Sequence, residues 1–306
     1  MNKIIFNSKN KIRPIWRLLL FLFITFAINI PLQIGLQKIL DQSLFRGYIS
    51  GSIYFVSVLL SLFVQIKYLD KSSFEKYGLK LSKKWVQEFF VGCAFSLLQL
   101  SLFFLIMYLT GNLKIVDYFT TQSSDFTFIE GFLSEVFSLI IGTSVEEIFF
   151  RAFLFYILYE VLRNVKKDPA KRAILVLFII SIVFGIAHMD NEGATFVSTI
   201  NLGLYGIILC LPFLITGRLG MSTGMHFSWN LVQGVFFGFA VSGNSTKVSI
   251  ISVDVSNNAL TGGVFGPEGS LLFLFICVIA VALLLLWKKI KGYSAIVNPL
   301  LIKNDI

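Results

Sequence analysis

Apolar residues run along this chain in long blocks. A helix needs roughly 20 residues to cross a bilayer core of about 30 Å. Runs of that kind fall at about 15–37, 47–66, 86–109, 128–162, 172–189, 194–217, 219–241 and 270–288. The fourth is longer than one crossing needs, so it is expected to be tilted, broken or extended into the cytoplasm. No repeat, coiled coil or soluble second domain is visible. The pattern predicts an all-α fold: a polytopic transmembrane helix bundle of about eight spans, forming a single membrane-embedded domain over 1–306.

Charges in the links test that count. The N-terminal tail holds Lys3, Lys9, Lys11, Arg13 and Arg17 with no acid, and the first link (Lys38, Asp41, Arg46) is nearly balanced. Loop 67–85 sets Lys67, Lys71, Lys76, Lys80, Lys83 and Lys84 against Asp70 and Glu75. Lys114, Asp117 and Asp125 follow the third run; Arg163, Lys166, Lys167, Lys171 and Arg172 follow the fourth, against Asp168. Asp190 and Glu192 come next without a base, then Arg218, then Lys247, Asp254 and Glu268, and the tail closes on Lys288, Lys289, Lys291 and Lys303. Lys and Arg collect in cytoplasmic loops. The alternation therefore supports eight spans with both termini cytoplasmic.

The first run could imitate a signal peptide, but its apolar character continues to about Leu36 and no small-x-small cleavage site follows. An uncleaved first span is expected. Residues 70–85, with Phe74, Tyr77, Leu79, Leu81 and Trp85 among lysines, read as a segment on the inner leaflet surface.

Composition agrees with the pattern. The chain is 56% hydrophobic and 14% charged, where a soluble domain carries about 25% charged residues. The net charge of +9 is explained by membrane orientation, and no stripe of basic and aromatic residues on a soluble module points to nucleic acid. Cys93, Cys210 and Cys277 lie in apolar runs with no metal-binding spacing and read as small buried hydrophobes. The Ile-, Asn- and Lys-rich composition points to a low-GC bacterium, hence to a bacterial plasma membrane.

Ionisable groups inside the runs carry the candidate chemistry. The stretch GTSVEEIFFRAFLFY (142–156) places Glu146, Glu147 and Arg151 in the fourth run. A carboxylate in hydrocarbon costs on the order of 2.5 kcal/mol or more, so each one needs a partner or a task. Glu147 and Arg151, four apart, share a helix face; Glu146 lies about 100° round the helix. The two histidines of the chain also fall in runs, His188 at the end of the fifth and His226 in the seventh, where Asn230 shares its face. A carboxylate, two imidazoles and an amide from three helices suit acyl transfer to water, with the carboxylate as general base and N–H donors on the oxyanion. Bland readings stand beside this: a structural ion pair, an interfacial His188, and interhelical hydrogen bonding by His226 and Asn230. Gly217, Gly220, Gly224, Gly234 and Gly238 read as close-packing positions, and GGVFGPEGS (262–270) as an outer turn and helix start.

In order along the chain, EEIFFR (146–151), FGIAH (184–188) and HFSWN (226–230) fit EExxxR, FxxxH and HxxxN. The sequence resembles the CPBP intramembrane protease family, also called Abi or CAAX-protease-like, which includes the type II prenyl-protein peptidases. The resemblance covers 146–230 directly, within a motif-bearing core of about 128–241. It implies a glutamic endopeptidase, formerly classed as a metalloprotease, with Glu146 as the water-activating base, His188 its partner, His226 and Asn230 the oxyanion hole, and Glu147 and Arg151 in support. No cofactor is expected. If a metal is present, Glu146, His188 and His226 would ligate it as zinc, a reading weakened by the lack of HExxH. The expected partners are a peptide or membrane-protein substrate and the lipid bilayer; oligomeric state is not readable. The alternatives are a non-catalytic bacteriocin-immunity or membrane assembly factor and a proton-coupled transporter, against which no inverted repeat is seen.

Overall fold

Ser43, Ser82, Thr127, Asp168 and Thr195 each end a loop and begin a helix. In each case the side-chain oxygen accepts a hydrogen bond from a backbone N–H of the first turn, satisfying a donor that has no intrahelical partner. The computed structural model describes residues 4–7, 11–41 and 43–302; Lys3, Lys9 and Lys303, counted above with the basic tails, lie outside them. Its helices are α1 (Pro14–Ile39), α2 (Leu44–Val64), α3 (Lys83–Leu109), α4 (Phe128–Glu147), α5 (Phe155–Val161), α6 (Pro169–Ile186), α7 (Phe196–Thr216), α8 (Gly220–Asn230), α9 (Leu272–Ile290) and the short α10 (Pro299–Ile302). Widened π-helical turns continue α2 (Gln65–Leu69), join α4 to α5 (Ile148–Leu154), and continue α8 (Leu231–Phe236).

Among the described residues, seven helical segments are long and apolar enough to cross a membrane, one of them the 34-residue run Phe128–Val161. This is a polytopic helical membrane bundle. The run expected over 219–241 differs from the other seven. It is the eleven residues of α8 plus six of its π continuation, about 25 Å by helical rise. Its side chains are almost all buried in protein, so it meets neighbouring helices where the other spans meet lipid.

Glycine explains how α8 fits inside. A Cβ on Gly220 would sit 2.2 Å from the Trp85 carbonyl oxygen, and one on Gly224 2.0 Å from that of Phe89. From the α3 side, a Cβ on Gly92 would meet the Met221 carbonyl oxygen at 2.4 Å. The two backbones touch along a seam of small residues, the arrangement that drives association where lipid removes any hydrophobic gain. Polar side chains bridge the same seam: Ser96 Oγ donates to the Met225 carbonyl (2.8 Å) and Ser228 Oγ to that of Cys93 (3.0 Å).

The sequence pattern did not anticipate a small sheet. Leu113–Thr121 (β1) pairs antiparallel with Val248–Val255 (β2), with a bulge between Ile115 and Asp117. Surplus length in the Phe128–Val161 run stands beside this ribbon, with Gly131 against Val248 and Glu135 bonded to Lys247. At the opposite end of the bundle, charged clasps tie loops to helices. Arg17 pairs with Asp70 and Glu160, and Tyr77 and Gln65 donate to Asp70. Arg218 Nε reaches Glu88 at 2.8 Å. Tyr77, placed by sequence on a leaflet-surface segment, is 1% exposed; its hydroxyl is consumed by the Asp70 clasp.

Gly224→Ala should lower the thermal midpoint of the detergent-solubilised protein, since overpacking costs about 1–3 kcal/mol. Gly35→Ala in α1, where a Cβ meets nothing within 4 Å, should leave the midpoint unchanged. Equal midpoints for the two variants would remove the seam from the account.

Candidate active site

The two helices that carry Glu146 and His226 pass into a π turn just after their motif residues: α4 ends at Glu147 and α8 at Asn230. Such turns often occur at functional sites. Here each one changes the helical register below the motif, so residues on either side of the turn need not share a face.

Glu147 and Arg151 are both 0% exposed, and Arg151 Nη1 donates to Glu147 Oε1 at 3.0 Å. The same oxygen also receives Nδ1 of His226, from α8, at 2.8 Å. Glu147 therefore joins two motif helices as well as neutralising an arginine on its own. Arg151 also lies over the Phe184 ring, 4.6 Å from guanidinium carbon to centroid, a cation–π contact that brings in α6. Phe184 in turn packs against both imidazoles, with centroids 4.8 Å from His188 and 5.9 Å from His226.

Glu146 faces away from this pair, into a cavity of about 510 Å³ whose lining includes His188, His226 and Asn230. Its side chain is 37% exposed, against 0% for Glu147. Glu146 Oε2 is buried and takes no hydrogen bond from the protein. It lies 3.8 Å from His226 Nε2, too far for a direct hydrogen bond, and both residues line the same cavity. His188, two residues beyond α6, has Nδ1 2.8 Å from the Phe184 carbonyl. A carbonyl only accepts, so Nδ1 carries the proton and Nε2 of the neutral ring is an acceptor. The imidazole within 4 Å of the Glu146 carboxyl is that of His226.

Both imidazoles use Nδ1 on the protein and leave Nε2, a pattern also seen in metal-ligating histidines. Among the described residues, however, no three His, Cys, Asp or Glu side chains come together closely enough to hold an ion.

Glu268 lines the same cavity, and no motif pointed to it. It is 1% exposed, and its carboxyl group accepts from Trp229 Nε1 (3.1 Å), Gln233 Nε2 (2.6 Å) and Ser242 Oγ (3.4 Å). Trp229 and Gln233 flank Asn230 on one helix, so Glu268 grips that helix from the side. Burial pushes the carboxyl of Glu268 above the usual carboxylate range, while the Gln233 and Trp229 donors pull it back. Asn201 anchors the loop by donating to the carbonyls of Glu268 and Ser270. A Cβ on Gly266, at φ +95°, would lie 2.1 Å from the Ala240 carbonyl oxygen. GGVFGPEGS is thus a close-packed clamp as well as a turn; its glycines were the available signal.

Residues 128–232 match the family model described as type II CAAX prenyl endopeptidase Rce1-like. The matched segment contains all seven motif residues discussed above and ends before Glu268. No curated protein and no solved structure matches the chain. This segment, 105 of the 306 residues, is consistent with a CAAX protease family and, in general class, with a membrane-embedded endopeptidase.

Removing one partner of a buried ion pair costs about 3–5 kcal/mol, because the other charge is left uncompensated. Arg151→Leu should therefore lower the thermal midpoint sharply, and the double variant Glu147→Gln/Arg151→Leu should recover part of the loss. A double variant no more stable than the single would show that Arg151 does not act through Glu147.

Proposed function

We propose that this protein hydrolyses a peptide bond of a membrane-associated peptide or protein, with water activated by Glu146. One observation carries the reading: a buried, protein-unpartnered carboxylate oxygen, 3.8 Å from an imidazole nitrogen, in a cavity shared with a second imidazole and an amide. In the proposed reaction Glu146 Oε2 takes a proton from water as its oxygen attacks the scissile carbonyl. His188 Nε2, an acceptor in the tautomer fixed by Phe184, orients that water.

The oxyanion then receives N–H donors from Asn230 and His226. Glu147 occupies Nδ1 of His226, so Nε2 donates only when both ring nitrogens carry protons. A carboxylate stands by each: Glu147 at 2.8 Å and Glu146 at 3.8 Å. The proton held on Glu146 finally passes to the leaving amine. In a site shielded from bulk water these electrostatic terms gain strength. The substrate class is a peptide or small membrane protein of a bacterial plasma membrane; no prenyl group is required by any residue of the cavity.

Glu146→Gln and His226→Ala should each abolish cleavage while the protein stays folded and inserted. Asn230→Ala should lower kcat by about 10²–10³-fold, the usual cost of one oxyanion donor. The assay presents a proteome-derived peptide library in detergent micelles, with cleavage sites read by mass spectrometry, and Glu146→Gln serves as a trap for co-purifying substrate. Wild-type turnover in Glu146→Gln would overturn the assignment of the base. A biological phenotype untouched by Glu146→Gln would favour a non-catalytic scaffold.

Cleavage should also survive strong chelators. Loss on chelation with recovery on added zinc would replace the side-chain mechanism with a metal-assisted one.

A further inference from the structure

The ends of the bundle differ in charge, and the cavity opens at only one of them. Loops 67–82 and 162–168, the residues around Arg218, and the segment after α9 all meet at one end, through the Arg17 and Arg218 clasps and the bond from Asn298 N to the Leu214 carbonyl (2.7 Å). Of the described charged residues, that end carries eighteen Lys and Arg against five acids. The ribbon end carries four bases, Lys38, Arg46, Lys114 and Lys247, against nine acids. A partition this uneven orients a membrane protein with its basic end in the cytoplasm.

The mouth of the cavity lies at the ribbon end. Its floor is Glu146, His226 and Asn230, and its rim comes from the turn after α6 and from loop 241–246, where Asn244 and Ser245 are exposed. A second cavity, of about 280 Å³, continues from the rim: Ser245 and Thr246 line both. It runs along the ribbon among Thr120, Gln122, Ser249 and Ser252. Hydroxyl and amide groups dominate this wall, which suits a hydrated, extended peptide better than an acyl chain. Beside it, Tyr118 and Phe119 of β1 are 57% and 63% exposed. Aromatic side chains are placed this way where a protein meets a bilayer interface.

We propose that the active site is served from the non-cytoplasmic side. Its substrate class is then a membrane-anchored polypeptide cut near the outer leaflet, with the polar segment beyond the scissile bond lying along the ribbon. This deepens the endopeptidase reading and rests on it for the word substrate. The orientation rests separately on charge and cavity placement. A soluble cytoplasmic peptide has no path to Glu146 in this arrangement, whereas an exported peptide or an extracytoplasmic juxtamembrane segment reaches it directly.

Cysteine accessibility in intact cells tests the orientation without any substrate. Cys93, Cys210 and Cys277 are replaced by alanine, and single cysteines are returned as Ser245→Cys and Glu192→Cys at the rim and Lys167→Cys at the basic end. A membrane-impermeant maleimide should label the rim positions in intact cells, and Lys167→Cys only after permeabilisation. The cysteine-free protein serves as the blank. If both rim cysteines stay unlabelled until permeabilisation, or if Lys167→Cys reacts in intact cells, the proposal is overturned. No substrate enters the experiment, so a wrong orientation and a wrong role for Glu146 fail separately.

Discussion

The structure depends on how one buried carboxyl group is partnered inside a membrane bundle. Glu147 is fully buried, with Arg151 at 3.0 Å and His226 at 2.8 Å on the same oxygen. A buried ion pair contributes little stability on balance, because desolvation offsets the attraction. Its value here is geometric. Arg151 shares a helical run with Glu147, but His226 comes from another helix, and Arg151 continues to Phe184 on a third. Satisfying Glu147 therefore fixes the relative positions of all three motif helices. Glu146, one residue earlier, is left facing the cavity as a consequence.

That division of labour gives the adjacent glutamates their sense. Neighbouring positions on a helix point about 100° apart, enough for one side chain to enter protein and the other to enter a cavity. The π turn begins immediately afterwards. A helix that kept a strict α register below Glu147 would continue both faces downward unchanged. The extra residue in the wide turn lets the chain below present apolar side chains such as Phe153 and Phe155, both 0% exposed, to the core. The same change follows Asn230 on the partner helix. Polar cavity-lining faces and apolar packing faces can thus succeed each other on one run.

How much of this could be read from sequence follows from the range of each interaction. Crossing helices were legible because a run of apolar residues is a local property, and the basic loops gave an independent count. The pairing of Glu147 with Arg151 was legible because four-residue spacing is local too. The bond from His226 to Glu147 was not, since it joins residues 79 apart and helical periodicity says nothing about another helix. The ribbon was missed for the same reason: β1 and β2 lie in two loops more than a hundred residues apart, and neither strand is long enough to stand out among apolar runs. The helix after Gly220 was expected to match the other spans because composition alone does not separate an apolar face toward lipid from one toward protein. Its glycines did carry that distinction, because a seam at Gly220 and Gly224 requires a neighbouring backbone.

Glu268 is the clearest case of a residue that local reasoning could not value. In the sequence it is one acid in a glycine-rich loop, outside every helical pattern. In the fold it accepts from Trp229 and Gln233, on either side of Asn230, and from Ser242. Ser242 itself accepts at its carbonyl from Asn191, in the turn just beyond His188 (2.8 Å). A chain of hydrogen bonds therefore runs from the turn beyond the histidine of one motif helix to residues beside the asparagine of another, through a loop that belongs to neither. Networks of this kind hold well only when every member is satisfied, and the three donors facing Glu268 are best satisfied by an ionised carboxylate, which offers acceptors alone. Burial opposes that charge and on balance holds the carboxyl above the usual carboxylate range, so the donors of the closed loop offset only part of the cost. The positive φ at Gly262 and Gly266, and the approach of Gly266 to the Ala240 carbonyl, are what allow that closure. Above the membrane-embedded carboxyl group that aligns the helices, a second buried carboxyl group aligns the rim, and Glu146, His226 and Asn230 line the cavity between the two.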